Sequence, residues 1–173
     1  MTTLRLLGAL LIVLACTGYG LARIAQLRAA NAARAGVCKV LEQLRAEISE
    51  RRTPMREIAL LLRKDAPPPC RAWFAALAEA LEQPDGRRFS TLWRQTLQTR
   101  AGLPLSAEEL ETLCLLGLSL GRYDAPEQCA AIDRCLRELE RFRIHAEEQA
   151  RIRGRLYPGL GLSAGLFLAV LLI

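Results

Sequence analysis

The residues able to do chemistry are few and poorly placed for it. Cysteines stand at 16, 38, 70, 114, 129 and 135, and His145 is the only histidine. A zinc or Cys/His catalytic site needs close-set thiols and imidazoles, and no CxxC pair occurs. Cys129 and Cys135 are six residues apart. On a helix that spacing is about 600°, which leaves them about 120° apart in azimuth and unable to aim at one metal. Reduced thiols packed as small hydrophobes are the expected state, and they suit a cytosolic domain. The adjacent carboxylates Glu108/Glu109 and Glu147/Glu148 point about 100° apart on a helix and make poor acid–base dyads. There is no glycine-rich phosphate loop and no GxSxG elbow. No catalytic, metal-ligating or cofactor-binding residue is assigned, and the chain is expected not to be an enzyme.

Charge narrows the field further. The net charge of +6 rests on arginine, because Lys39 and Lys64 are the only lysines. The arginines are spread along the polar faces of helical segments, as on a solvated surface. A nucleic-acid groove needs a basic stripe interleaved with aromatics, and none is visible. Neither nucleic acid nor a small-molecule substrate is expected as a partner.

The elements that carry these residues read as helices throughout. Hydrophobic residues make up 51% of the 173-residue chain and aromatics 5%, with Ala and Leu dominant. With about 35 residues in two apolar ends, the rest suffices for one core. Leu6 to Ala22 is an uncharged run of seventeen residues and Leu156 to Ile173 one of eighteen. The first reaches about 26 Å as a helix, just enough to cross a bilayer. Tyr157 stands where an interfacial aromatic would, and Pro158 is tolerable near a helix start. Three parts are expected: an N-terminal transmembrane segment, 1–22, a helical bundle, 23–155, and a C-terminal transmembrane segment, 156–173. Arg23, Arg28 and Arg34 follow the first run and Arg151, Arg153 and Arg155 precede the second. The positive-inside rule then makes the bundle cytoplasmic. A competing reading takes Val13-Leu14-Ala15-Cys16 as a lipoprotein cleavage box, giving an exported adaptor that binds protein partners outside the cell. Against it, the apolar run continues past Cys16 to Ala22, and a signal core is about 7–15 residues.

Within the bundle the pattern predicts about six helices. Val37, Leu41, Leu44 and Ile48 mark one face of a helix running from Arg23 to about Glu50. Thr53-Pro54 reads as an N-cap and first helical residue, and Pro67-Pro68-Pro69 as the end of that short helix. Helices from about Cys70 to Glu82 and from Ser90 carry Trp73 and Trp93 as core anchors. Ser106 and Glu109 form a capping box for a helix over Leu110 to Leu120, whose apolar later half suits the centre of a bundle. Gly117 and Gly121 would admit a close approach, and Gly121 would also supply a left-handed C′ residue. Asp124 and Glu127 open a last long helix with the stripe Cys129, Ile132, Leu136, Leu139, Phe142 and Ala146. Its exposed side offers the i,i+4 pairs Asp133/Arg137, Arg134/Glu138 and Glu147/Arg151.

Over its whole length the sequence resembles the stage III sporulation protein AB family. The resemblance is carried by the opening Leu4 to Ile12 and by Leu41-x-x-Leu44-x-x-Glu47-Ile48 followed by Thr53-Pro54-Met55-x-Glu57. It continues in Leu116-Gly117-x-x-Leu120-Gly121-x-x-Asp124 and in the ending Leu156-Tyr157-x-x-Leu160-Gly161. The chain departs from the pattern at Glu50, where tyrosine is frequent, and at Tyr123, where a small polar residue is usual. The resemblance implies a mother-cell membrane protein of the apparatus joining mother cell and forespore. Its bundle is similar to the F-type domain of type II secretion and type IV pilus inner-membrane platform proteins. By that likeness the partners are a sporulation ATPase, stage III sporulation protein AA, and other stage III sporulation membrane proteins. The role is a non-catalytic platform that couples the ATPase to the membrane complex. Glu47, Thr53, Pro54, Glu57, Gly117, Gly121 and Asp124 are the constrained positions, with Glu47 and Glu57 the better candidates for partner contact.

Overall fold

In the computed structural model these segments form six α-helices and one π-helical segment, with no strand among the described residues. The structure describes the backbone of residues 2–83, 86–99, 102–122 and 124–172. Side-chain surroundings are described for 25–148 within those ranges, with Gly18 and Ala22. Helix α1 is Thr2–Ala46, followed by the π segment Glu47–Arg51. The others are α2 Met55–Asp65, α3 Pro68–Glu82, α4 Phe89–Thr99, α5 Ala107–Ser119 and α6 Ala125–Leu172. The expected membrane segments, 1–22 and 156–173, lie, apart from Gly18 and Ala22, outside the residues described with their side chains. Among the described residues no helix is long and apolar enough to cross a membrane.

The chain divides into two units, Ala29–Arg143 and the paired ends Met1–Arg28 with Ile144–Ile173. The hydrophobic core belongs to the first. There α1 buries Val37, Leu41 and Leu44 and the π segment buries Ile48, the face the periodicity predicts. α2 packs on α3, α3 on α4 and α4 on α5. Trp73 and Trp93 are both fully buried and meet edge to face at 4.6 Å, joining α3 to α4. Phe74 and Phe89 complete the aromatic cluster around Trp93. Along α6 the predicted stripe is extended by Ala131 and Cys135.

Several local expectations give way to tertiary structure. Pro54, not Thr53, is the residue before α2; its ψ of 144° is extended, and the Thr53 hydroxyl is engaged elsewhere. The triple proline does more than end α2. Pro67 precedes α3 and Pro68 and Pro69 form its first turn, where the missing N–H groups would have no helical acceptor anyway. α5 is not covered all round, because Leu115 and Leu118 are 54% and 51% exposed. On α6, Asp133 does not use Arg137. It pairs with Arg45 of α1 at 2.7 Å, while Glu138 takes Arg141 at 3.0 Å. The Asp133 bond, together with the Cys129 thiol set 3.9 Å from the Arg45 carbonyl, fixes α1 beside the first turns of α6.

Candidate functional site

The residues singled out by sequence converge where α1 ends and α6 begins. α1 closes on a π turn, in which the Arg52 N–H donates to the Glu47 carbonyl, five residues back. The Thr53 N–H reaches the same carbonyl at 3.3 Å. Arg52 itself is left-handed, with φ 52° and ψ 35°, a conformation that glycine or asparagine usually supplies at a helix end. The chain then leaves the helix axis and runs extended through Pro54 into α2.

Glu47 holds this elbow together. Its carboxylate accepts from Arg51 Nη1 at 2.9 Å and from Thr53 Oγ1 at 2.9 Å, so side chain and carbonyl both brace residues 51–53. With those bonds made, Glu47 is committed within the chain. Glu57, by contrast, is exposed on the first turn of α2.

The facing wall is built by the α5–α6 junction. α5 is capped at Leu120, whose N–H donates to Leu116 O at 3.2 Å, and Gly121 follows at φ 72°, the expected left-handed C′ glycine. The Gly121 N–H donates to Gln128 Oε1 at 3.1 Å, which straps the turn to α6. Asp124 precedes α6 and its carbonyl accepts from Gln128 N at 3.0 Å. A methyl at Gly121 would lie 3.8 Å from Met55 and 3.9 Å from Phe89, so the turn sits against the start of α2 and the start of α4.

Between the walls lies a groove of about 670 Å³. Ile48, Arg52, Thr53, Pro54 and Met55 line one side; Gly121, Asp124, Ala125, Pro126 and Gln128 line the other. Thr53, Pro54, Gly121 and Asp124 are thus brought together from stretches some 70 residues apart in the sequence. Glu47 stands behind Thr53 as its brace. Gly117 does not line the groove: it is buried against the Trp93 ring, whose Nε1 donates to Leu113 O at 2.8 Å. Ile48 and Met55 stand in the quoted motifs without being among the constrained positions, and Arg52, Ala125, Pro126 and Gln128 carried no sequence signal of a site. The stretch Arg51-Arg52-Thr53-Pro54 carries no glycine or asparagine to announce a left-handed turn.

A second feature escapes the sequence altogether. Glu109, fully buried, accepts from Arg34 Nε at 2.5 Å and Nη2 at 3.2 Å while closing the predicted capping box with Ser106. Burial pushes the Glu109 carboxyl up, but the Arg34 fork and the Ser106 N–H outweigh it and hold the group below the usual carboxylate range. The pair clamps α1 to α5.

The groove contains one guanidinium, one carboxylate and one hydroxyl, a set suited to recognition. Among the described residues no group of three or more His, Cys, Asp or Glu could hold a metal ion. The five described cysteines are free, and burial, with Cys38 adding to it, pushes Cys70 and Cys135 up to about 12. Burial likewise raises Cys38, reinforced by Glu42 nearby.

Comparison with known proteins agrees with the resemblance read from the motifs. A family model described as stage III sporulation protein AB matches residues 5–173. Stage III sporulation protein AB of Bacillus subtilis (strain 168) is 32% identical over 178 aligned positions, covering 98% of this chain and 99% of that protein. A solved structure of stage III sporulation protein AB superposes with a TM-score of 0.60 at 27% identity. That superposition covers 68% of this chain and 92% of the other.

Proposed function

Because this chain belongs to the stage III sporulation protein AB family, we propose that it is a non-catalytic membrane platform of the mother cell–forespore apparatus. In this reading the uncharged runs Leu6–Ala22 and Leu156–Ile173 anchor the protein in the mother-cell membrane facing the forespore. The bundle lies on the cytoplasmic side, where it receives the ATPase, stage III sporulation protein AA, and links it to other stage III sporulation membrane proteins. The arginines that flank both runs on the bundle side support this orientation.

The observation that carries the reading is the convergence of Thr53, Pro54, Gly121 and Asp124 on one open groove. The groove's walls are the end of α1 and the start of α6, the two helices that continue into the terminal runs. A partner held there touches both.

Two measurements on the full chain test it. Protease added to intact protoplasts should spare the bundle until lysis, and the ATPase should co-purify with the full-length protein from membranes. Digestion in intact protoplasts would remove the platform reading and favour the exported adaptor.

A further inference from the structure

We infer that the five arginines flanking the apolar runs, Arg23, Arg28, Arg151, Arg153 and Arg155, form a collar that binds anionic phospholipid headgroups. The inference rests on the membrane placement proposed above and adds a lipid preference to it. The positive charge of the chain is concentrated at its ends. Residues 1–41 hold five basic residues and no acid, residues 149–173 three basic residues and no acid, and residues 42–148 sixteen basic against eighteen acidic. The bundle is thus slightly acidic, and the surplus behind the net charge of +6 lies at the ends that carry the apolar runs.

Distance along the helices places the collar at headgroup depth. α1 and α6 are continuous through these positions, and all five belong to the unit of paired ends. At about 1.5 Å per residue they lie within about 9 Å of Ala22 or Leu156, where the uncharged runs stop. A headgroup layer is about 5–8 Å deep, and charge is felt about 8 Å further at physiological salt. The nearest acids along each helix stand farther out, Glu148 at about 12 Å and Glu42 at about 30 Å. Glu147 is one turn from Arg151, so Arg23, Arg28, Arg153 and Arg155 carry most of the attraction.

Orientation alone does not account for this pattern. The positive-inside rule asks for arginine and lysine on the inner side, and acids weigh little in it, so they would be tolerated there. Their exclusion from both stretches points to an anionic neighbour. The positions also ring the helices. Those of Arg151 and Arg155 are about 40° apart in azimuth with Arg153 on the far side, and those of Arg23 and Arg28 are about 140° apart. An acidic protein surface would meet one face, whereas a bilayer surrounds both helices.

The test uses the full chain reconstituted in vesicles of phosphatidylcholine and phosphatidylglycerol. Electron spin resonance of a trace of either lipid, spin-labelled, measures the share immobilised against the protein. Wild type should favour phosphatidylglycerol about twofold or more over phosphatidylcholine. The preference should disappear in R23Q/R28Q/R153Q/R155Q, survive in the matching lysine variant, and fade in about 1 M salt, where the screening length is about 3 Å. The glutamine variant should keep the wild-type denaturation midpoint, because its changes lie outside Ala29–Arg143. Equal immobilisation of the two lipids by wild type, or a preference that survives the glutamine variant, overturns the inference. The arginines are then left to water or to an acidic protein surface, and the platform stands. Immobilisation of neither lipid means that the apolar runs do not meet a bilayer, and the membrane placement fails together with the collar.

Discussion

Substituting Gly117 by alanine should destabilise the bundle although alanine is the better helix former. A Cβ built on Gly117 would lie 2.7 Å from Trp93 Cγ and 2.9 Å from Nε1, and closer still to Cδ1. The ring has no room to retreat. Trp73 and Phe74 stand 4.6 and 6.2 Å from it by ring centroids, Phe89 is at 5.7 Å, and its Nε1 is bound to Leu113 O one turn before Gly117. The helix-propensity gain of Gly→Ala is about 1 kcal/mol. Overpacking a filled core costs about 1–3 kcal/mol, and breaking the buried indole bond about 1–3 kcal/mol more. The net expectation for G117A is a loss of about 1–5 kcal/mol. Denaturant unfolding of the full chain, followed by fluorescence of Trp73 and Trp93, reads this as a lower midpoint at unchanged slope. Adding Trp93→Phe should relieve the clash, so the double-mutant cycle should show a favourable coupling beyond about 0.5 kcal/mol. A G117A protein as stable as wild type, or more so, would refute the packing argument and return Gly117 to the list of possible contact residues.

Other consequences of the structure are open to direct measurement. Because Glu109 titrates below its unfolded value, its pairing with Arg34 contributes fully above the unfolded pKa and is lost as pH falls through the folded one. E109Q should therefore flatten the acid side of a midpoint-versus-pH curve from pH 6 to pH 3, and a curve identical to wild type would contradict the sign. E109A, which strands Arg34, should cost about 3 kcal/mol at neutral pH. Removing the elbow brace by E47A should speed amide exchange over residues 47–57 without changing exchange at the Trp73/Trp93 core, since local opening is set by local bonds. Burial and raised pKa values should keep Cys70 and Cys135 unlabelled by iodoacetamide at neutral pH until the protein is unfolded; labelling of the folded protein at either would show the core to be open.

What the sequence discloses is what depends on neighbours in sequence. The α1 stripe through Val37, Leu41 and Leu44, the Ser106–Glu109 box and the Gly121 turn each follow from spacing or from one residue's conformational freedom. Two of the three expected charge pairs were misread for the complementary reason, while Glu147/Arg151 lies outside the residues described with their side chains. Asp133 has Arg137 one turn away but is bonded to Arg45, 88 residues distant in sequence, and Glu109 is bonded to Arg34, 75 residues distant. An i,i+4 pair on a solvated face gains a few tenths of a kcal/mol, so any well-placed arginine on a packed neighbour displaces it. Apolar composition had the same limit on α5: nearly every side of its later half is hydrophobic, yet that does not tell which side is covered, and Leu115 and Leu118 are left outside. The candidate site was legible as positions but not as a place. The motifs supplied Thr53, Pro54, Gly121 and Asp124, while the groove that unites them depends on a π turn and a left-handed arginine that no local signal marks.

The elbow gives Glu47 and Gly121 a structural role whether or not either touches a partner. The groove is only as well formed as the angle between the end of α1 and the start of α2, and that angle is held by Glu47 through four bonds to residues 51–53. Its distance from the opposite wall depends on Gly121, whose turn lies against Met55 and Phe89 and is strapped to Gln128. α1 in turn is clamped to α5 by Arg34–Glu109 and to α6 by Arg45–Asp133. Under the platform reading, a partner seated at the elbow pulls on helices already joined to one another by side-chain bonds, not on a free loop. The π turn is the place in that path where the helical ladder is already widened, so a change in docking would be absorbed there before it disturbed the aromatic core.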